Sequence, residues 1–149
     1  MAPYGIISLI IIILDQLSKI LISNNFSADT KFTLIPGIFD IVYRKNTGAA
    51  FSILSKHIFL LSIISIIFCI LVVVYVIKIK PKHPLQCTAI SLVFAGAFGN
   101  GIDRFFRGYV VDFIETTFIN FPVFNIADIS ITVGAVLFII YVIIFDKED

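Results

Sequence analysis

The sequence predicts a mainly α-helical membrane protein: four transmembrane helices, with a small extracytoplasmic β-hairpin or sheet between helices 1 and 2. Three observations predict it. The 149 residues are 59% hydrophobic and only 14% charged, against about a quarter charged in a soluble domain. Mean hydropathy is +1.07. Four apolar segments approach the ~20 helical residues that a ~30 Å hydrocarbon core requires. The chain reads as a single domain over residues 1–149, with no internal repeat or low-complexity tract.

The spans fall at about 4–22, 58–77, 85–102 and 124–145. The first carries Asp15, Gln16, Ser18 and Lys19 in its second half. It has no basic residue before it, and Asp15 interrupts what would be an h-region, so it reads as a retained helix and not a cleaved signal. Between it and the second span, Lys31–Ile35 and Ile38–Arg44 are β-prone runs joined by Pro36-Gly37, which suits a type II turn. The second span is the cleanest, with polar atoms only on Ser62, Ser65 and Tyr75. Lys78-Ile79-Lys80-Pro81-Lys82-His83-Pro84 joins it to the third, and its prolines stop both helices. Gln86, Thr88, Ser91 and Asn100 interrupt the third span.

Four spans put both termini on one side. That side carries Lys78, Lys80, Lys82 and Lys147; the other carries Lys31, Arg44, Lys45, Lys56, Arg104 and Arg107. A bare positive-inside count would place the larger loops in the cytoplasm. Several of those cations sit in polar motifs, however, so the short basic turn is the better local signal. It favours cytoplasmic termini.

Chemistry concentrates in a few places. Asp112 and Asp128 flank the start of the last span. A carboxylate at the edge of hydrocarbon costs free energy, and two brought together cannot comfortably both ionise. Such a pair can share a proton, as acid–base hydrolysis of a peptide bond requires. Singly, each has a plainer reading: Asp112 as a loop acid, Asp128 as an acid complementing a helix N-terminus. Asn125 and Asp128 lie three residues apart in the first turn of that helix. Asp15 and Lys19, at i and i+4, share a helix face and read as a structural ion pair or as an inward pair orienting a neighbour. Gly96, Asn100, Asp103 and Arg107 share a face of the third span, whose small residues permit close helix contact. Asp103 beside Arg104 reads first as a neutralised interfacial pair.

Other chemistries find little support. No His-Glu-x-x-His or Gly-x-Ser-x-Gly motif occurs, and His57 and His83 fall on opposite membrane sides. No metal or other cofactor is expected. Ser52 and Lys56 offer only a weak serine–lysine signal. Cys69 and Cys87 lie in apolar stretches and read as packing residues. A net charge of +1 without a long basic run gives no hint of nucleic-acid binding. On the residues alone, a membrane hydrolase competes with a small proton-coupled transporter or channel that relays protons through Asp15, Asp112 and Asp128. A channel would stage its carboxylates across the bilayer, whereas two of these three lie at one face.

Five motifs occur in order: Asp15-Gln16-Leu17-Ser18-Lys19, Asn46-Thr47-Gly48-Ala49-Ala50-Phe51-Ser52, Gly96-Ala97-Phe98-Gly99-Asn100-Gly101-Ile102-Asp103-Arg104, Val110-Val111-Asp112-Phe113 and Phe124-Asn125-Ile126-Ala127-Asp128. The set resembles bacterial lipoprotein signal peptidase, or signal peptidase II, over nearly the whole chain. The resemblance implies an aspartyl peptidase of the inner membrane with cytoplasmic termini and an active site near the outer face. Its substrate would be a prolipoprotein, cut before a cysteine that carries diacylglycerol. It makes Asp112 and Asp128 the catalytic pair and sets Asn46, Asn100, Arg104 and Asn125 around the site. Asp15, Lys19, Gly96 and Gly99 take supporting roles. Ala95 stands where the family often has a further glycine, a mild departure. The substrate lipid is expected between helices near Gly96 and Gly99, with membrane lipid as the other partner, and the protein is expected to act as a monomer.

Overall fold

A computed structural model describes residues 2–48 and 57–145. Among them, four helices are long and apolar enough to cross a membrane: α1 (Ala2–Asn25), α2 (Ile58–Ile79), α3 (Pro84–Arg107) and α4 (Ile126–Ile144). Strands β1 (Lys31–Ile35), β2 (Phe39–Asn46) and β3 (Val110–Thr116) form an antiparallel sheet in the order β1-β2-β3. The helices present long rows of exposed Ile, Leu, Val and Phe, the surface that lipid tails solvate.

Helix α3 packs against each of the other three. Its glycines permit this. A Cβ at Gly96 would collide with the Ala127 carbonyl oxygen and the Ile131 side chain of α4. Gly134 on α4 answers from the other side, where a Cβ would lie 2.7 Å from Val93 Cγ2 and 2.8 Å from the Ala89 carbonyl oxygen. Backbones thus approach closely enough for dispersion contacts to hold them without any hydrophobic drive between apolar surfaces.

The predicted hairpin is present. The Ile38 N–H donates to the Ile35 carbonyl at 3.0 Å, and Gly37 takes φ +75°, as the third position of a type II turn demands. Lys31 Nζ reaches Asp40 at 2.7 Å and Glu115 at 3.0 Å, tying all three strands.

Two helix boundaries, the end of α3 and the start of α4, and one strand differ notably from the sequence expectation. Helix α3 continues five residues past Ile102, because Asp103 and Arg107 turn inward to partners. It stops at Gly108, whose φ of +72° suits glycine. Helix α4 begins at Ile126, not Phe124, since Asn125 is extended (φ −135°) and caps it. Phe124 instead bridges to Ile114. Residues 110–116, expected as a loop at the membrane face, form the third strand. Arg44 lies opposite Asp112 and Asn46 opposite Val110, after a register shift between Ile41 and Arg44.

Candidate active site

Four elements deliver one polar cluster at the strand end of the bundle. Strand β3 supplies Asp112, the end of β2 supplies Asn46, α3 supplies Asn100 and Arg104, and the first turn of α4 supplies Asn125 and Asp128. Asp112 is 3% exposed and Asn125 is fully buried.

Side-chain amides orient both carboxylates. Asn46 Nδ2 donates to Asp112 Oδ2 at 2.9 Å, and Asn125 Nδ2 donates to Asp112 Oδ1 at 2.7 Å. Asn100 Nδ2 donates to Asp128 Oδ1 at 2.8 Å, and the Asn125 backbone N–H donates to Asp128 Oδ2 at 3.1 Å. Asn125 Oδ1 in turn accepts from the Asp128 N–H at 2.9 Å. This reciprocal exchange is a capping box, so the bond that starts α4 also aims Asp128. Burial first, and then the Asp128 carboxylate, push the Asp112 carboxyl up to about 7, against the opposing pull of Asn46, Asn125 and Lys19.

Beneath the carboxylates lies a fully buried ionic layer. Lys19 Nζ contacts Asp15 at 2.8 Å and Asp103 at 2.9 Å, and donates to Asn100 Oδ1 at 3.0 Å. That last bond fixes which end of the Asn100 amide faces Asp128. Asp15 Oδ1 accepts from the Ala127 N–H at 2.9 Å, tying α1 to the start of α4. The i, i+4 pair read from sequence is therefore present and points inward, one contact removed from the carboxylates. Asp103 does not pair with Arg104 as the sequence suggested. It pairs with Lys19 and, at 3.4 Å, with Arg107, because residues four apart share a helix face and adjacent ones do not. Arg104 turns away, and its Nη2 donates to the Gly48 carbonyl at 3.2 Å.

The carboxylates open onto a cavity of about 660 Å³. Asn46, Asn100, Arg104, Asp112 and Asp128 line its polar end. Ile64, Phe68, Val93, Ala97, Ile131 and Val133 line an apolar continuation between α2, α3 and α4. Among the described residues no group of three His, Cys, Asp or Glu side chains is placed to hold a metal ion.

The sequence profile described as signal peptidase (SPase) II matches residues 7–144. The chain belongs to the signal peptidase II family. The lipoprotein signal peptidase of Lactobacillus johnsonii is 43% identical over 148 residues, covering 99% of this chain and 96% of the relative. That of Enterococcus faecalis is 39% identical over 144 residues, covering 97% and 89%. A solved structure described as a bacterial membrane enzyme superposes with a TM-score of 0.93 at 38% identity, covering 100% of this chain and 93% of that one. A second gives 0.88 at 40% identity, covering 99% and 96%. This member of the signal peptidase II family is thus a peptidase and a multi-pass membrane protein with the predicted fold.

Gly96 and Gly99 do not border the cavity of this signal peptidase II fold. A Cβ at Gly99 would meet Asp15 Oδ2 at 2.7 Å, and Gly96 is closed against α4. The lipid position expected beside them is occupied by protein. The open apolar groove lies on the other face of α3, at Val93 and Ala97. Gln16 was missed by sequence reasoning. Its Nε2 donates to the Gly99 carbonyl and to Asp15 Oδ2, both at 3.1 Å. A glutamine inside an apolar helix needs a partner, and that was the available signal. Ala49–Ser52 and Lys56 lie outside the described residues, so neither the end of the second motif nor the Ser52–Lys56 spacing has a structural reading here.

Proposed function

We propose that Asp112 and Asp128 are the catalytic pair of a membrane aspartyl endopeptidase, working as one domain over residues 1–149 and as a monomer. The chain removes signal peptides from prolipoproteins, the activity of its family. Cleavage falls before a diacylglyceryl cysteine, at the outer face of the membrane, with both termini in the cytoplasm. The observation that carries the catalytic assignment is the amide lattice, which presents two differently supported carboxylates to one cavity.

The mechanism follows from a pair holding one proton. The ionised carboxylate takes a proton from water, and the resulting hydroxide attacks the scissile carbonyl carbon. The protonated carboxyl donates to the carbonyl oxygen, giving a neutral gem-diol. Collapse of the gem-diol breaks the C–N bond: the carboxyl that took the water proton gives it to the leaving nitrogen, and the other carboxylate takes back a proton from the diol, which restores the one-proton pair. The pair titrates as a unit, and the amides of Asn46, Asn100 and Asn125 keep its geometry through the exchange. Arg104 Nε is buried without a partner among the described residues, which leaves a donor for a backbone carbonyl of the peptide. The apolar groove between α2, α3 and α4 takes the hydrophobic part of the substrate, and the β-sheet shields the site from bulk water. The transporter alternative gains nothing: Asp112 and Asp128 share one cavity, and Asp15 is held by Lys19 and the Ala127 N–H.

The test is cleavage of one prolipoprotein, lipidated and unlipidated, by the purified chain. Efficient cleavage of the lipidated form is expected, with Asp112→Asn and Asp128→Asn each inactive but folded. Near-normal turnover by either variant would remove the catalytic assignment. Equal rates for the two substrate forms would remove the lipid specificity alone.

A further inference from the structure

At the end of the bundle away from the carboxylates, α1, α2 and α3 enclose an apolar cavity of about 310 Å³, lined by Gly5, Ser8, Val73, Ile90 and Phe94 among others. It shares Tyr4, Val76, Ile77 and Pro81 with a second hollow that Lys80 and Lys82 border. An apolar slot between helices therefore continues into a basic rim. Among the described residues, no carboxylate pairs with Lys78, Lys80 or Lys82.

Lys80 adds an independent pointer. It caps α2 with φ +51° and ψ +56°, its N–H donating to the Val76 carbonyl at 3.0 Å. It is the only non-glycine residue with positive φ among the described residues. Glycine adopts this left-handed cap freely and lysine does not. A long cationic side chain is thus kept at a position where the backbone alone favours glycine. Strain retained in this way points to a task for the side chain. Lys78 sits in the last turn of α2, where complementing the helix dipole is explanation enough.

We propose that this slot seats an anionic phospholipid of the surrounding membrane, its phosphate on Lys80 and Lys82 and an acyl chain between α1, α2 and α3. The charge is complementary, the rim lies at a helix end where headgroups sit, and basic pockets between transmembrane helices suit such headgroups. The seat is separate from the peptidase cavity, which shares none of these residues.

Two variants separate a seat from general surface attraction. Gly5 borders the slot, and a Cβ there meets nothing within 4 Å, so Gly5→Leu starts its side chain from open space beside the slot. Lys80→Gly relieves the backbone while removing one cation. Native mass spectrometry of the purified full chain in neutral detergent compares dioleoyl phosphatidylglycerol with dioleoyl phosphatidylcholine. Preferential retention of phosphatidylglycerol is expected. Lys80→Gly should weaken it about fivefold while raising the thermal midpoint without lipid. Gly5→Leu should abolish the preference with no fall in that midpoint. Equal retention of the two lipids by the parent would overturn the proposal. So would unchanged phosphatidylglycerol retention in either variant, or equally strong binding of free glycerol phosphate, which would make the rim a soluble-anion site.

Discussion

The Asp112 carboxyl should destabilise the folded protein as pH rises, and Asp112→Asn should remove that effect. Burial and Asp128 lift this group from 3.8 to about 7. Below about pH 4 it is protonated in folded and unfolded chains alike and carries no penalty. Between about 4 and 7 the unfolded chain ionises while the folded one holds its proton, so the stability it contributed is progressively lost. Above that window the loss reaches about 4 kcal/mol. Roughly 3 kcal/mol of it falls between pH 5 and pH 8. Asparagine cannot ionise. It does present an NH₂ group where Asp112 accepts from Asn46 or Asn125, which costs a hydrogen bond. That cost does not vary with pH, so the comparison between two pH values cancels it. The assay is thermal unfolding of parent and variant in one detergent at pH 5 and pH 8. The variant should gain on the parent by about 3 kcal/mol between the two, on the order of 5–10 °C in midpoint for a chain of this size. A difference unchanged from pH 5 to pH 8 would refute the raised carboxyl, and with it the case for a proton held near neutrality.

Further outcomes follow from the same geometry. Cleavage should decline as pH rises past about 7, because the pair then loses the proton it donates; a rate still climbing to pH 9 would contradict this. Lys19→Ala should destabilise by about 3–5 kcal/mol, since it leaves Asp15 buried without its cation and Asp103 with only the more distant Arg107. The double variant with Asp15→Ala should fall short of additivity by about 1–3 kcal/mol, and strictly additive losses would show that the pair does not interact. Gly96→Ala should lower the melting temperature, because its methyl strikes the Ala127 carbonyl, whereas Gly108→Ala meets no atom and is strained only by its φ. Full stability of the Gly96 variant would mean that the α3–α4 contact is looser than described.

Hydropathy marked the four spans because length and apolar content are local properties. The hairpin was equally legible, since Pro36-Gly37 and the β-branched residues around it act over a few positions. Strand β3 was not. Its residues Val110–Phe113 are buried on both faces, so the alternation that identifies a strand at a membrane surface is missing. The end of α3 was misplaced for a related reason: Asp103 and Arg107 lower hydropathy yet stay helical, because their charges meet Lys19 and each other. The two aspartates could be singled out by type and position. The asparagines that aim them came from the family resemblance and not from any local pattern, because each amide bond joins residues 13 to 66 apart in the chain. The lipid position failed on similar grounds. Small residues mark close contact in sequence, but only the packed structure shows which of their faces is filled.

Asn125 begins α4, donates to Asp112 and, through the same cap, orients Asp128. Both carboxylates and this residue lie within the last 40 residues, while the groups that hold them, Lys19, Asn46 and Asn100, are made earlier. During synthesis the bilayer therefore receives three spans and a partial sheet before any acid–base pair exists. The cap that helps to start the last helix is the same exchange that places Asp128. On the proposed assignment of Asp112 and Asp128, a half-inserted chain is silent towards its neighbours, and proteolytic competence coincides with completed assembly.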